Sequence, residues 1–223
     1  MANRAYLGVW SKDVSDDNLI DRFGAFLSVV PLSESKPGFT YLAVRAVGPA
    51  EIPILEQDRR SAPLDASGVV EILRDHAHSD CAYEVGCYRD LATFDATARS
   101  GKEAQPLEIF CYGRDYDDGV FQEAGHFQAD LGFEHFFTGH AGLLGFRRGE
   151  RAAAQGPEEA RFLEAMAWPE NLTKYQEGTR TNVRKLFDWI RAIEGALPVE
   201  TIRLWSEGEQ NFEARLEEIL AAR

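Results

Sequence analysis

Apolar residues in the first part of the chain switch between the two-residue spacing of strands and the wider spacing of helices. Branched and aromatic residues predict three strands, at residues 4–10, 39–47 and 81–94. Apolar residues at helical spacing predict two helices, at residues 15–30 and 65–78. A short strand near Pro53 is expected at a sheet edge, because proline cannot donate to a strand ladder. Asp65 is the expected N-cap of the second helix. The order of these elements indicates a layered α+β unit.

The sheet is expected to be mixed or antiparallel and covered by helices. A ferredoxin-like βαββαβ arrangement followed by a β-meander is one candidate for it. In the meander, Asp118-Gly119 is expected to form a tight turn, because glycine accepts a positive φ without strain. The residues after that turn, VFQEAGHF, are predicted to return as a strand. Glu108 and Glu123 would then face each other across the hairpin.

The pattern changes near residue 148, where a polar stretch containing glycine and proline predicts a linker or long loop. Helical spacing dominates beyond it. One helix is expected to begin at Pro157, a longer one to be capped by Asn171, and one or two more to cover residues 198–222.

The expected division of the chain is an α+β sheet domain over residues 1–148 and a helical C-terminal region over residues 149–223. The full length of 223 residues fits one large domain or two small ones. About 70 residues of helix would bury only a small core by themselves. We therefore expect the helical region to pack on the sheet domain as one compact unit.

The chain is strongly acidic, with 37 Asp and Glu residues against 24 Lys and Arg residues and a net charge of −13. Such a surface repels phosphate backbones, so nucleic acid is not an expected partner. Solubility alone is one explanation for the acidity, and a basic protein partner is another. No apolar run has the length of about 20 residues that a membrane span needs.

The cysteines are odd in number and form no CxxC pair: Cys81, Cys87 and Cys111. This pattern favours buried free thiols over a disulfide framework. The first residues, MANRAYLGVW, lack the apolar core of a signal peptide. We therefore expect a cytoplasmic protein.

The sharp catalytic signatures are absent from the sequence: it contains no GxGxxG, no P-loop, no GxSxG elbow and no HExxH. The densest group of chemically useful residues lies in GHFQADLGFEHFFTGHAGLLG, residues 125–145. This stretch holds three of the five histidines, His126, His135 and His140, together with Asp130 and Glu134. A metal site built from the three histidines is one hypothesis, and a core segment that happens to hold histidines is the other.

The spacing of these histidines and acids favours the core-segment hypothesis over the metal site. In a strand, His126 and Asp130 would be about 13 Å apart, and His135 and His140 would point to opposite faces. Glycines recur at positions 125, 132 and 139 and disfavour a continuous helix. Only bends at these glycines could gather the three histidines in one place.

Three functional hypotheses from different classes remain open. The first is a binding protein that recognises a basic protein partner or a small ligand, with Tyr112, Arg114 and His140 as candidate ligand-binding residues. His140 is preferred because its small neighbours in GHAG leave the backbone accessible. A third and weaker hypothesis is a structural subunit of a larger assembly that displays its aromatic residues to a partner.

The alternative is a hydrolase with a site built around residues 125–142, with or without a metal ion. Its candidate catalytic residues are His140, His126 and Glu134, because a neutral histidine beside a carboxylate is a competent general base near neutral pH. The sequence identifies no cofactor.

Overall fold

The computed structural model describes residues 3–95, 100–140, 143 and 156–221. Its strands are β1 (Arg4–Ser11), β2 (Phe39–Ala46), β3 (Leu55–Asp58), β4 (Cys81–Phe94), β5 (Ser100–Tyr112), β6 (Phe127–Phe133) and β7 (Val199–Ser206). They form one seven-stranded sheet in the order β3-β2-β4-β5-β6-β1-β7. Each neighbouring pair is antiparallel. The predicted α+β class with helices on an antiparallel sheet is confirmed.

The helices are α1 (Leu19–Leu27), α2 (Ala66–Arg74), α3 (Phe121–Ala124), α4 (His135–Thr138), α5 (Pro157–Ala165), α6 (Pro169–Ala196) and α7 (Phe212–Ala221). The predicted cap of α2 is confirmed, because the Asp65 carboxylate accepts a hydrogen bond of 2.8 Å from the Gly68 N–H. Helix α6 begins at Pro169, so Asn171 lies in its first turn instead of capping it.

One face of the sheet is buried under α1, α2 and α6. In β4, every second residue from Cys81 to Thr93 is buried, as alternation across a half-covered sheet requires. Aromatic rings fill the space between the layers. The ring centroid of Phe26 lies 5.5 Å from that of Phe127 and 5.7 Å from that of Trp189. The main core therefore lies between the sheet and this helical layer.

Asn182 fixes the long helix α6 onto the sheet. Its side chain is almost fully buried and accepts a hydrogen bond of 2.8 Å from the Ala92 N–H. Its amide group donates to the carbonyl oxygens of Ala92 and Phe136, each at 3.0 Å. One side chain thus connects α6, β4 and α4.

The ferredoxin-like candidate differs from the observed strand order. A split βαβ unit places one strand between its two parallel strands. Here β4, β5 and β6 all lie between β1 and β2. The meander is present in a different place, as the consecutive neighbours β4, β5 and β6.

The helix predicted at the start of residues 198–222 is wrong, because residues 199–206 form β7 and pair with β1. Val199, Thr201 and Ile202 are branched residues that suit a strand. The Trp205 ring stacks on the Tyr6 ring of β1 with centroids 5.5 Å apart. The strand is stabilised by a partner about 200 positions away in sequence, and local spacing could not reveal that partner.

The predicted return strand after Asp118-Gly119 is also wrong, because residues 121–124 form α3 and the chain returns only with β6. Gly119 has a φ of 82° and Gly125 a φ of 96°, so the chain bends at both glycines instead of making one tight turn. As a result Glu108 pairs in register with Asp130 and not with Glu123.

The stretch predicted as a linker covers residues 147–159, and its part up to residue 155 lies outside the described residues. Its last residues, from Pro157, belong to α5. The proposed division at residue 148 stays a prediction. Among the residues that are described, no helix is both long enough and apolar enough to cross a membrane.

Candidate functional site

The glycines of residues 125–145 are the points at which this stretch changes direction. Gly125, Gly132 and Gly139 have φ values of 96°, 77° and 77°, which lie in the left-handed region that favours glycine. Gly125 lies in the turn between α3 and β6, Gly132 lies near the end of β6, and Gly139 follows α4 directly. The prediction that the chain bends at these glycines is confirmed.

These bends do not bring the three histidines together. His126 precedes β6, whereas His135 follows it, and a strand of seven residues spans about 20 Å. The His126 Nδ1 atom accepts a hydrogen bond of 3.2 Å from the Ser11 N–H, and its ring stacks on Phe121. Burial lowers the pKa of His126 and favours its neutral form. The described residues contain no group of three His, Cys, Asp or Glu side chains arranged to hold a metal ion.

Tyr112 and Arg114 lie at the His126 end of the sheet. The Tyr112 N–H donates to the His126 carbonyl at 3.0 Å, and the Tyr112 hydroxyl donates to Gln128 at 2.7 Å. Arg114 is exposed and forms an ion pair of 3.3 Å with Asp16. The candidate set of Tyr112, Arg114 and His140 is therefore divided between the two ends of β6.

The other end of β6 opens into a cleft of about 950 Å³ that contains Glu134, His135 and His140. The His140 Nε2 atom lies 2.7 Å from a carboxylate oxygen of Glu159 on α5. The rings of His135 and His140 are 6.4 Å apart. The Glu134 carboxylate has a structural role, because it accepts a hydrogen bond of 3.0 Å from the Gly208 N–H.

Tyr175 fixes the backbone of the cleft at His140. Its hydroxyl accepts a hydrogen bond of 2.6 Å from the His140 N–H, and burial raises the pKa of Tyr175 to about 12. Desolvation beside the rings of Phe133 and Phe136, together with the nearby His140, lowers the pKa of His135. Ala141 and Gly142, the rest of the GHAG segment, lie outside the described residues.

The chemistry available in this cleft is that of a histidine beside a carboxylate. Such a pair can orient a water molecule and accept its proton. The described residues that line the cleft include no serine and no cysteine. Water held by the histidine–carboxylate pair is one nucleophile that the cleft offers, and the hydroxyl groups of Thr93, Thr138 and Thr179 are others.

A second candidate site lies on the face of the sheet opposite the helices, at the β3, β2, β4 and β5 strands. It is a groove of about 580 Å³ whose charged and aromatic lining residues are Tyr41, Glu56, Asp58, Arg60, Glu84, Tyr88 and Glu108. We call it the acidic groove. Four of its lining residues are carboxylates and one is a base, so its lining carries an excess of negative charge.

The floor of the acidic groove is Gly86. In the strand register Gly86 lies between Tyr41 of β2 and Glu108 of β5. A Cβ atom at Gly86 would lie 3.0 Å from the Cβ atom of Tyr41, closer than packed atoms normally approach. The lack of a side chain at Gly86 therefore lets the Tyr41 side chain pack closely against the backbone of β4, beside Glu108.

The carboxylates of the groove differ in how they are neutralised. Arg60 forms an ion pair with Asp58 and lowers the pKa of that carboxyl group to about 2. Glu56 accepts a hydrogen bond of 3.0 Å from the Tyr41 hydroxyl. Burial, and then the negative charge of Glu108, raises the pKa of Glu84. Glu84 and Glu108 form no ion pair within the described part of the chain.

Sequence reasoning missed the groove because strand pairing creates it. The alternation in β4 places Glu84, Gly86 and Tyr88 on the face opposite the buried residues, and this signal was visible. Their proximity to Glu56 and Glu108 depends on the register of β3 and β5, which local patterns do not reveal.

Comparison with known proteins gives no family for this chain: no protein-family model, no curated protein and no solved structure matches it. The function must therefore be argued from the sites themselves.

Proposed function

We propose that this protein is a binding protein whose acidic groove takes up a lysine- or arginine-rich segment of a protein partner. The observation that carries the proposal is the diagonal pair of carboxylates Glu84 and Glu108, with the pKa of Glu84 raised. Glu84 lies two residues before Gly86 on β4, and Glu108 lies opposite Gly86 on β5. A cationic side chain placed over Gly86 would interact with both carboxylates and favour their ionised forms.

The aromatic rings of the groove suit the same partner. The Nζ atom of Lys36 already lies 4.1 Å from the centroid of the Tyr88 ring, so this ring accepts an ammonium group from the chain itself. Tyr41 borders Gly86 on the other side. Lysine and arginine carry long apolar stems that pack on such rings while their charged ends reach the carboxylates.

The net charge of −13 would speed the approach of a basic partner and slow that of an anionic one. We therefore propose a basic protein segment as the ligand and not nucleic acid. The three cysteines are unpaired and buried, which suits a reducing compartment such as the cytoplasm. Detection of the protein in a secreted fraction would contradict that location.

The test is an NMR titration with a lysine- and arginine-rich peptide of about ten residues. We expect saturable shifts of the backbone amides of Tyr41, Gly86 and Glu108. Shifts that cluster at His140, or that spread evenly over all acidic surfaces, would contradict the proposal.

A hydrolase is the second candidate, and the contact of 2.7 Å between His140 and Glu159 favours it. Its test is a screen with activated ester and peptide substrates, in which His140→Ala must abolish the activity. His126→Ala is the matched control, because His126 lies at the opposite end of β6. Equal rates for the wild-type protein and His140→Ala would exclude this cleft as the catalytic site.

A further inference from the structure

Two buried hydrogen-bond donors lack a partner, and both belong to residues that line the same cavity. Among the described residues, Arg89 Nε and Trp189 Nε1 are the buried side-chain nitrogen or oxygen atoms without a hydrogen-bond partner. Arg89 and Trp189 line a cavity of about 370 Å³ between β4, α6 and the segment that follows α1. We call it the Arg89 cavity. Buried donors are nearly always satisfied in folded proteins, so two in one place require an explanation.

Arg89 is a buried cation that has no carboxylate partner within the described ranges of the chain. It is only 4% exposed, and its Nη2 atom donates to the Leu131 carbonyl oxygen. Its guanidinium group lies 5.0 Å from the centroid of the Phe137 ring. Asp130 is the carboxylate whose charge reaches Arg89, but Asp130 forms an ion pair of 2.6 Å with Arg4. An uncompensated buried charge is costly, and a bound anion would offset that cost.

A second cation of the cavity also lacks a carboxylate partner in the described structure. The Lys185 Nζ atom donates to the Asp90 carbonyl oxygen at 3.0 Å. Each of the three acids that line the cavity pairs with another cation: Glu34 and Asp90 both pair with Lys102, at 2.8 and 3.1 Å, and Asp188 pairs with Arg191. The cavity therefore presents two cations that its own acids do not neutralise, in a chain that is acidic as a whole.

The remaining walls of the Arg89 cavity are mainly apolar. They are formed by Val29, Pro31, Leu32, Leu91, Leu186 and Ala192. Small-molecule sites commonly combine such walls with a few convergent polar groups that fix the orientation of the ligand. A volume of about 370 Å³ lies at the lower end of the range for such sites.

We propose that the Arg89 cavity binds a small carboxylate with an apolar body, whose carboxylate accepts hydrogen bonds from Arg89 Nε and Trp189 Nε1. Lys185 adds a second positive charge beside that carboxylate. The apolar body of the ligand packs against Leu32, Leu91 and Leu186. This site is separate from the acidic groove, because Arg89 belongs to the helix-covered face of β4 whereas Glu84 belongs to the opposite face. Either site can be present without the other.

The test uses benzoate and hexanoate as probes, with benzamide and hexanamide as neutral controls of the same shape. The indole N–H signal of Trp189 is identified in a proton–nitrogen NMR spectrum by its loss in Trp189→Phe. We expect the carboxylates to shift this signal, and the Nε–H signal of Arg89, in a saturable manner. Water alone in the cavity would leave both signals unchanged up to the solubility limit of the probes. That result, or equal shifts by the amides, would overturn the proposal.

A pair of charge-matched variants checks the role of the second cation. Lys185→Met removes the cation that lines the cavity, and Lys174→Met removes an exposed one on the same helix. We expect Lys185→Met to weaken carboxylate binding about tenfold and Lys174→Met to leave it unchanged. Equal weakening by both variants would mean that the probes respond to overall charge, and would overturn the assignment to this cavity.

Discussion

Glu84 and Glu108 lie on neighbouring strands of the uncovered face, and Glu108 is opposite Gly86, two residues along β4 from Glu84. Diagonal neighbours of this kind are about 7 Å apart in a sheet. Glu84 is half-buried and Glu108 is exposed, so the Glu84 carboxylate loses hydration and also faces a second negative charge. The pair therefore disfavours its own full ionisation until a cation is present.

Glu84→Gln is expected to raise the free energy of unfolding at neutral pH, by less than about 1 kcal/mol. The folded state raises the pKa of Glu84, so its ionised form is disfavoured relative to the unfolded chain. This penalty is absent below the ordinary pKa of a glutamate, and it becomes complete once the pH exceeds the raised value. The gain from the substitution should therefore vanish at about pH 3, where Glu84 is protonated in both states.

Urea unfolding of the wild-type protein and Glu84→Gln at the two pH values measures this difference. The control is Glu71→Gln, an exposed glutamate on α2. A loss of stability at neutral pH in Glu84→Gln would show that the groove does not strain its carboxylates.

Alanine substitutions at Gly125 and Gly132 test what stabilises the bends of residues 125–145. Both have a positive φ, but a Cβ atom at Gly125 would lie 2.7 Å from the Val9 nitrogen, whereas one at Gly132 would meet open space. Gly132→Ala should cost about 1 kcal/mol of stability from backbone strain alone. Gly125→Ala should cost about 3 kcal/mol, because the backbones of β1 and the turn must also separate. Equal losses in chemical denaturation would show that the close approach to Val9 is not maintained.

Asn182→Leu tests the attachment of α6. The substitution leaves the backbone groups of Ala92 and the Phe136 carbonyl without their partner, and should cost about 3 kcal/mol. Thr181→Ala is the neighbouring control, because the Thr181 hydroxyl bonds only within its own helix, to the Glu177 carbonyl. Thermal unfolding of both variants measures the contrast, and similar melting temperatures would contradict the account.

Tyr175→Phe removes the hydroxyl group that accepts from the His140 N–H. We expect a loss of about 1 to 2 kcal/mol, since a partly buried donor is left unsatisfied. Tyr88→Phe is the control, because no hydrogen bond of the Tyr88 hydroxyl occurs in the described structure. Faster amide exchange at His140 in Tyr175→Phe alone would confirm the mechanism, and unchanged exchange there would contradict it.

The sequence predicted the parts of the fold that depend on short-range physics. The alternation of β4, the Asp65 cap and the glycine bends follow from residues a few positions apart. β7 was missed because its partner is β1, at the other end of the chain. The strand predicted directly after Gly119 was wrong, because a second glycine, Gly125, allows a helical turn to form before the chain returns as β6.

The candidate sites, like β7, depend on contacts between residues that are far apart in sequence. His140 lines the cleft at the end of β6, and its carboxylate partner, Glu159, comes from a helix beyond the predicted linker. The groove depends on strand register, and the Arg89 cavity on the packing of α6 against β4. Arg89 follows the alternation of β4 and lies on its buried face, between Cys87 and Leu91, although sequence reasoning did not single it out. A buried arginine in a strand is therefore a signal that the sequence contained.

The central claim is tested most directly by comparing the affinities of two charge-matched triple variants for one lysine- and arginine-rich peptide. The groove variant combines the substitutions Glu56→Gln, Glu84→Gln and Glu108→Gln. The control variant replaces three exposed glutamates of the helices, by Glu71→Gln, Glu194→Gln and Glu217→Gln. Each variant removes three negative charges, so the general attraction of the acidic surface falls equally in both. By calorimetry, we predict that the groove variant binds the peptide at least about tenfold more weakly than the wild type, with little change in the control. Equal affinities of the two variants would contradict the assignment of binding to the acidic groove.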